Sequence, residues 1–265
     1  MRNIKLTLEY DGTEFHGFQR QPRLRTVQGV LEERFSRALR EPIKVVGAGR
    51  TDAGVHAVGQ VVNFRTTRPV PVERVADVLN AALPPDVKVQ ACEEVGESFH
   101  ARRCARSRIY RYTVIEWATP SPIAGRYALL VPDRLSVERM SQVAERLLGR
   151  HDFRAFQASG SETATTERTL LRLDCRRSGD RIAITAEADS FLYRMVRLIV
   201  SGLLVVGRSE LDPEALATAL RTGERPPTRR GPAAACGLCL AHVQYDDDGA
   251  GCGLRPPAVI YDPTK

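Results

Sequence analysis

Lysine is scarce in this chain: Lys5, Lys44, Lys88 and Lys265 are the only four among 39 basic side chains, and the other 35 are arginine. Against 32 acidic residues this leaves a formal net charge of +7 and an isoelectric point near 9.3. A basic balance of that size favours polyanionic partners, nucleic acid above all. Arginine is the better phosphate fork and stacks on bases. A GC-rich genome produces the same bias, so it is the charge that supports nucleic-acid binding and not the arginine excess. Long apolar runs are also missing. The most apolar stretch, Met195 to Val206, is too short to span a bilayer and is interrupted by Arg197. The start, Asn3-Ile4-Lys5-Leu6, has no apolar segment preceded by basic residues and so no signal peptide is expected. A cytoplasmic protein without a membrane partner is the expectation.

Further absences exclude reaction classes. Six cysteines are scattered, at positions 92, 104, 175, 236, 239 and 252. Cys236-Gly-Leu-Cys239 has the spacing of half a zinc site, but no second pair stands at matching spacing. Its neighbours read as a buried strand, and the thiols as buried and reduced. His16, His100, His151 and His242 are dispersed and form no metal spacing. There is no Gly-Lys-Ser/Thr loop, against a P-loop ATPase, and no Gly-x-Ser-x-Gly elbow, against that class of hydrolase. Gly47-Ala-Gly49 is not a dinucleotide fingerprint, because Asp52 takes the third glycine's place. No metal and no cofactor are expected.

What is present is enough chain, 265 residues, for one large domain or two small ones. Ile4, Leu6, Leu8 and Tyr10 alternate as one face of a strand. Thr26 caps a helix carrying Val27, Leu31, Phe35 and Ala38, and Pro71 starts a second that stops at Pro84-Pro85. Strands follow over 87–95 and 107–116, the latter with Arg108, Tyr110, Tyr112 and Val114 on one face. Ser136 caps a third helix ended by Gly149, and 159–167 is polar, small and mobile. Strands at 170–175 and 181–188, helices at 191–206 and 212–221, and a last strand at 237–245 complete the set. The fold class is α+β with a mainly antiparallel sheet. The halves resemble one another only loosely in element order, and no sequence repeat is visible. The divisions are 1–104, 105–245 and a flexible tail over 246–265.

The loop Gly47-Ala-Gly-Arg50-Thr-Asp52-Ala-Gly-Val-His56-Ala57 joins two β-like segments. Three glycines enclose one arginine, one aspartate and one histidine, and glycine lets backbone approach a ligand or take positive φ. An arginine next to a carboxylate lowers its pKa, which suits a nucleophile and not a general acid. The plainer reading is a turn whose Asp52 hydrogen-bonds nearby backbone. His56 reads as structural.

These motifs together resemble the TruA family of tRNA pseudouridine synthases. The resemblance is carried by Tyr10-Asp-Gly-Thr-Glu-Phe-His-Gly-Phe-Gln-Arg-Gln-Pro22, by Thr26-Val-Gln-Gly29 and by the Gly47–Ala57 loop. It continues in Phe99-His-Ala-Arg102, Arg108-Ile-Tyr-Arg-Tyr112, His151-Asp-Phe-Arg-Ala-Phe156, Met195-Val-Arg197 and Gly237-Leu-Cys-Leu240. It implies two related α/β halves forming a central mixed sheet flanked by helices around an active-site cleft, a homodimer, and no cofactor or metal. It implies tRNA as substrate, at uridines 38, 39 and 40 of the anticodon stem-loop. Asp52 matches the family's catalytic aspartate and Arg50 the arginine associated with flipping the target nucleotide. Tyr110 matches the tyrosine that packs on the uracil, and Arg197 the basic residue that pairs with the carboxylate. An ionised carboxylate suits attack on the uracil ring or action at the sugar equally well. Two rivals come from other classes: a non-catalytic tRNA-binding protein or chaperone on the same scaffold, and a metal-dependent RNA hydrolase using Asp52 as a ligand. The first would tolerate loss of Asp52; the second needs more clustered carboxylates or histidines than the loop offers.

Overall fold

A computed structural model describes residues 1–117, 119–160, 163–226, 228 and 231–246. In chain order the elements are β1 (Arg2–Tyr10), α1 (Val27–Leu39), β2 (Val45–Gly47), β3 (His56–Thr66), α2 (Val72–Ala82), β4 (Val87–Val95) and β5 (Ser107–Glu116). They continue with β6 (Leu129–Val131), α3 (Val137–Arg146), β7 (Gly149–Asp152), β8 (Glu167–Ser178) and β9 (Arg181–Ala188). Then follow α4 (Met195–Gly207), α5 (Pro213–Thr222) and β10 (Leu238–Gln244). The chain folds into two compact units, Met1–Arg106 with the chain from Cys239 onward, and Ser107–Leu238. The strand at the end of the chain, grouped by its sequence position with the second half, pairs with β3 through Cys239 and Leu240 and belongs to the first unit.

In the first unit β1 lies between β3 and β4, antiparallel to both, with β2 antiparallel and β10 parallel on β3. The alternation of β1 is realised as read: Ile4, Leu6, Leu8 and Tyr10 are buried. Its other face is covered too, since Lys5 Nζ sits 4.8 Å from the ring centroid of Tyr245 and 5.4 Å from that of Phe99. Helix α1 starts where Thr26 accepts a hydrogen bond from Gly29 N. It buries Val27, Leu31, Phe35 and Leu39, with Phe35 5.6 Å from Phe64 of β3 between ring centroids. Helix α2 is fastened to β4 by one amide: Asn80 Nδ2 donates to Val89 O and Asn80 Oδ1 accepts from Val89 N, both at 2.8 Å.

The second unit holds an antiparallel sheet in the order β5-β9-β8-β7, with β6 parallel on β5. The short strands β6 and β7 escape a sequence reading because three or four residues carry no usable alternation. Helix α4 begins at Met195, not at Phe191: residues 189–194 form a turn in which Met195 N donates to Leu192 O and Arg194 takes a left-handed φ of 59°. That helix is buried nearly all round, as its composition demands. Gly149, expected to end α3, opens β7 instead; the helix cap is Leu147. Each unit therefore has the α+β, mainly antiparallel mixed sheet expected.

Residues 161 and 162 of the stretch read as mobile, and the tail from 247 on, lie outside the described residues. Near the end of that stretch Thr166 is fastened, its Oγ1 donating to Asp152 Oδ1 at 2.6 Å and its O accepting from Phe153 N at 3.0 Å. No helix among the described residues is long and apolar enough to cross a membrane.

Replacing Asn80 by alanine leaves both polar groups of Val89 without their partner. We expect Asn80→Ala to lower stability by about 1–3 kcal/mol, read as a lower urea midpoint. An unchanged midpoint would mean that the amide does not fasten α2 to β4.

Candidate active site

The loop of residues 47–57 is held against the segment that follows β1, backbone on backbone. A Cβ added to Gly12 would stand 2.0 Å from Val55 O and 2.5 Å from Val55 C, so only glycine fits there. Phe18 N donates to Thr51 O at 3.0 Å and Gly54 N to Phe15 O at 3.3 Å. Gly54 itself has φ +77°, the left-handed conformation that lets Val55 N turn back to Asp52 O at 3.2 Å. The same segment caps α1, since Gly17 O accepts from Val27 N at 3.1 Å and Phe18 O from Gln28 N at 2.9 Å. Phe15 and Phe18 anchor it in the core. His56 is buried and its Nδ1 accepts from Gly12 N at 3.1 Å, in keeping with a structural histidine.

This packing decides which loop side chains face outward. Thr51, Val55 and His56 are buried, Asp52 is half-buried, and Arg50 is exposed. Arg50 makes no hydrogen bond or ion pair among the described residues. The pairing with Asp52 expected from their spacing is therefore not among its contacts. Beneath the turn, Tyr10 Oη lies 2.8 Å from Thr51 Oγ1, and Gln60 Nε2 donates to Gly49 O at 2.8 Å. Burial pushes the Tyr10 hydroxyl well above its ordinary value, which keeps it protonated.

Tyr110 and Arg197 stand in the second unit. Tyr110 is buried on β5 opposite Ala186 of β9, and its ring meets Phe191 edge-on, 5.2 Å between centroids at 88°. Arg197 lies in the first turn of α4, half-buried, its Nε donating to Ala233 O at 2.7 Å while its own carbonyl accepts from Ala233 N at 3.0 Å. Tyr112 Oη donates to Ala234 O at 2.9 Å, so β5 and α4 are linked through the 233–234 backbone. The structure thus brings Arg50 and Asp52 together on one turn of the first unit and sets Tyr110 and Arg197 in the second. Arg108, quoted only as part of a motif, is a buried arginine on the face of Tyr110, with Nη1 donating to Asp189 O at 2.7 Å. Its place in a strand alternation of buried residues, Arg108, Tyr110, Tyr112, was the available signal.

The cysteines divide by position. Cys175 and Cys239 are buried and Cys104 is exposed; burial pushes the Cys175 thiol up to about 12. Cys252 lies outside the described residues. Among the described residues no group of three His, Cys, Asp or Glu side chains is placed to hold a metal ion.

The motif His151–Phe156 resolves as a structural turn. Asp152 accepts from Arg154 Nε at 2.6 Å and from Arg154 N at 3.0 Å, and the Arg154 guanidinium holds its carboxyl down at about 2. A carboxylate with a depressed pKa contributes stability that is present above its ordinary value and lost as pH falls through the folded one. We expect Asp152→Asn to lower the urea midpoint at neutral pH. The wild-type midpoint should fall towards the variant's between about pH 4 and about pH 2. Parallel pH profiles would show that Asp152 carries no such linkage.

Comparison with known sequences bears on the whole chain. The sequence profile described as tRNA pseudouridine synthase matches residues 7–102 and again 143–246. The two matched stretches support two related halves, although no repeat is visible by eye in the sequence. The chain is 40% identical over 252 residues to tRNA pseudouridine synthase A 2 of Clostridium perfringens, covering 92% of this chain and 100% of that protein. It is 42% identical over 245 residues to tRNA pseudouridine synthase A of Moorella thermoacetica, covering 91% and 99%. It is 42% identical over 255 residues to the protein of the same name in Paramagnetospirillum magneticum, covering 96% and 99%.

Proposed function

The chain belongs to the tRNA pseudouridine synthase family, and we propose that it isomerises uridine at positions 38, 39 and 40 of the tRNA anticodon stem-loop, with Asp52 as nucleophile. Membership makes it a pseudouridine-forming isomerase. The observation that carries the finer reading is the turn at residues 49–55. Its backbone is fixed on buried residues, and Arg50 and Asp52 are left facing outward. A half-buried carboxylate on a rigid turn is a nucleophile whose direction is set before the substrate arrives.

The reaction breaks the glycosidic bond, turns the uracil and rejoins it through carbon 5, with no change of redox state. The target nucleotide must first leave the stack, at a cost of a few kcal/mol. In our reading Arg50, exposed and without a partner among the described residues, fills the gap that the flipped nucleotide leaves. Tyr110 stacks on the extruded uracil, a contact worth roughly 1–3 kcal/mol per base. Arg197 serves as the basic partner of the carboxylate. These three roles and the homodimer rest on the family resemblance. The net charge of +7 supports binding to the tRNA backbone, and such binding weakens steeply with salt.

Unmodified tRNA carrying uridine at positions 38 to 40 is the test substrate, in buffer with EDTA. Wild type should form pseudouridine at those positions, and Asp52→Ala should lose activity by roughly 10³-fold or more while still binding tRNA. Binding without product from either protein would favour a tRNA-binding chaperone, and activity surviving in Asp52→Ala would remove Asp52 from the mechanism. Light scattering should return twice the 29.3 kDa of one chain; a monomer mass would count against the dimer.

A further inference from the structure

Two buried side chains of the sheet reach up to the turn that carries Arg50 and Asp52. Gln60 on β3 is 0% exposed and Tyr10 on β1 is 3% exposed. The Gln60 carboxamide meets Gly49 at both polar atoms, Nε2 donating to Gly49 O at 2.8 Å and Oε1 accepting from Gly49 N at 3.4 Å. The same Nε2 lies 3.4 Å from Tyr10 Oη, which in turn lies 2.8 Å from Thr51 Oγ1. The residues on either side of Arg50, one of them next to Asp52, are thus tied to buried side chains of two paired strands.

The position of Gln60 is unexpected for a core strand. It shares a face with Val62 and Phe64, and stands opposite Leu8 of β1. An apolar side chain would satisfy packing there without the cost of desolvating an amide. Both ends of that amide find partners only in Gly49 and Tyr10. The pairing of β1 and β3 also slips by one residue between Leu8 and Tyr10, so that Tyr10 stands opposite Ala57. Such bulges occur where a strand re-aims a side chain; here the tyrosine hydroxyl reaches the turn. The Tyr10 hydroxyl stays neutral, because its burial disfavours the phenolate.

We infer that Tyr10 and Gln60 are positioning residues: through Thr51 and Gly49 they set the direction of the Asp52 carboxylate and do not touch the substrate. The inference rests on the synthase reading above. A looser turn still presents Arg50 and Asp52 to tRNA, so binding is spared. The reacting geometry is not, and a displacement of about 1 Å can cost on the order of 10²-fold in rate.

Single-turnover rates, tRNA affinity and melting temperature should be measured together for Tyr10→Phe, Thr51→Val, the double variant and Thr51→Ser. Tyr10→Phe and Thr51→Val remove one hydroxyl each and keep the packing. We expect each to lower the rate by about 10-fold with affinity within about twofold. The double variant should be no slower than the worse single one, because one hydrogen bond is lost only once. Thr51→Ser, which keeps the hydroxyl, should recover most of what Thr51→Val loses. Gln60→Met, similar in volume but without either hydrogen bond, should fall further, by about 100-fold. Wild-type rates in Tyr10→Phe and Thr51→Val, or additive losses in the double variant, would overturn the inference alone. So would losses that track melting temperature without a change in the rate of the folded protein. A wild-type protein that makes no pseudouridine would overturn the synthase reading and this inference with it.

Discussion

Backbone contact between residues 12–18 and residues 51–55 is the constraint on which the first unit depends. There is no room for a side chain at Gly12, and the peptide groups of Phe15, Phe18, Thr51 and Gly54 satisfy one another across the contact. Buried peptide groups must find partners, and here each segment supplies them to the other. The segment after β1 uses its remaining carbonyls to cap α1. One stretch of seven residues therefore ends a strand, starts a helix and seats the turn bearing Asp52. A shift in any of the three would leave polar groups of the others unpaired. That coupling explains why a loop rich in glycine is a rigid support here and not a flexible one.

The second unit reaches order by different means. Its helix α4 is apolar nearly all round, and α3 and α5 approach it closely enough that Met140 and Leu216 lie against Gly207 and Gly202. Hydrophobic burial is not directional, so the orientation of Arg197 is set by polar contacts. Its backbone carbonyl and its Nε both engage Ala233. Tyr110 is likewise held by a neighbour of fixed geometry, the edge-on ring of Phe191. The side chains proposed for the chemistry in each unit thus sit on backbone fastened by hydrogen bonds and packing. For an isomerase, such preorganisation is a principal means of lowering a barrier.

Much of this was legible in the residues. The periods of β1, α1, α2, β4 and β5 emerged within a residue or two, because Thr26, Pro71 and Pro84-Pro85 mark their ends by local chemistry. The eight motifs in one order point to the family, and the profile and relatives agree. The start of α4 was missed because Phe191 and Leu192 continue the apolar pattern of the helix. The turn that precedes it is set by Arg194 in a left-handed conformation, which composition does not announce.

By itself the sequence determined the family and the element types, since each depends on residue identity and local spacing, and it is the source of the four residues proposed for the chemistry. Tertiary structure decided the rest. It returned β10 to the first unit beside β3, and left Arg50 exposed while Asp52 is half-buried. It also gave Tyr10 and Gln60 a common partner in a turn about forty to fifty residues from one of them and about ten from the other. Those outcomes depend on strand register and on which peptide groups lose water. Both are properties of chain segments meeting in space, and no periodicity along the chain encodes them.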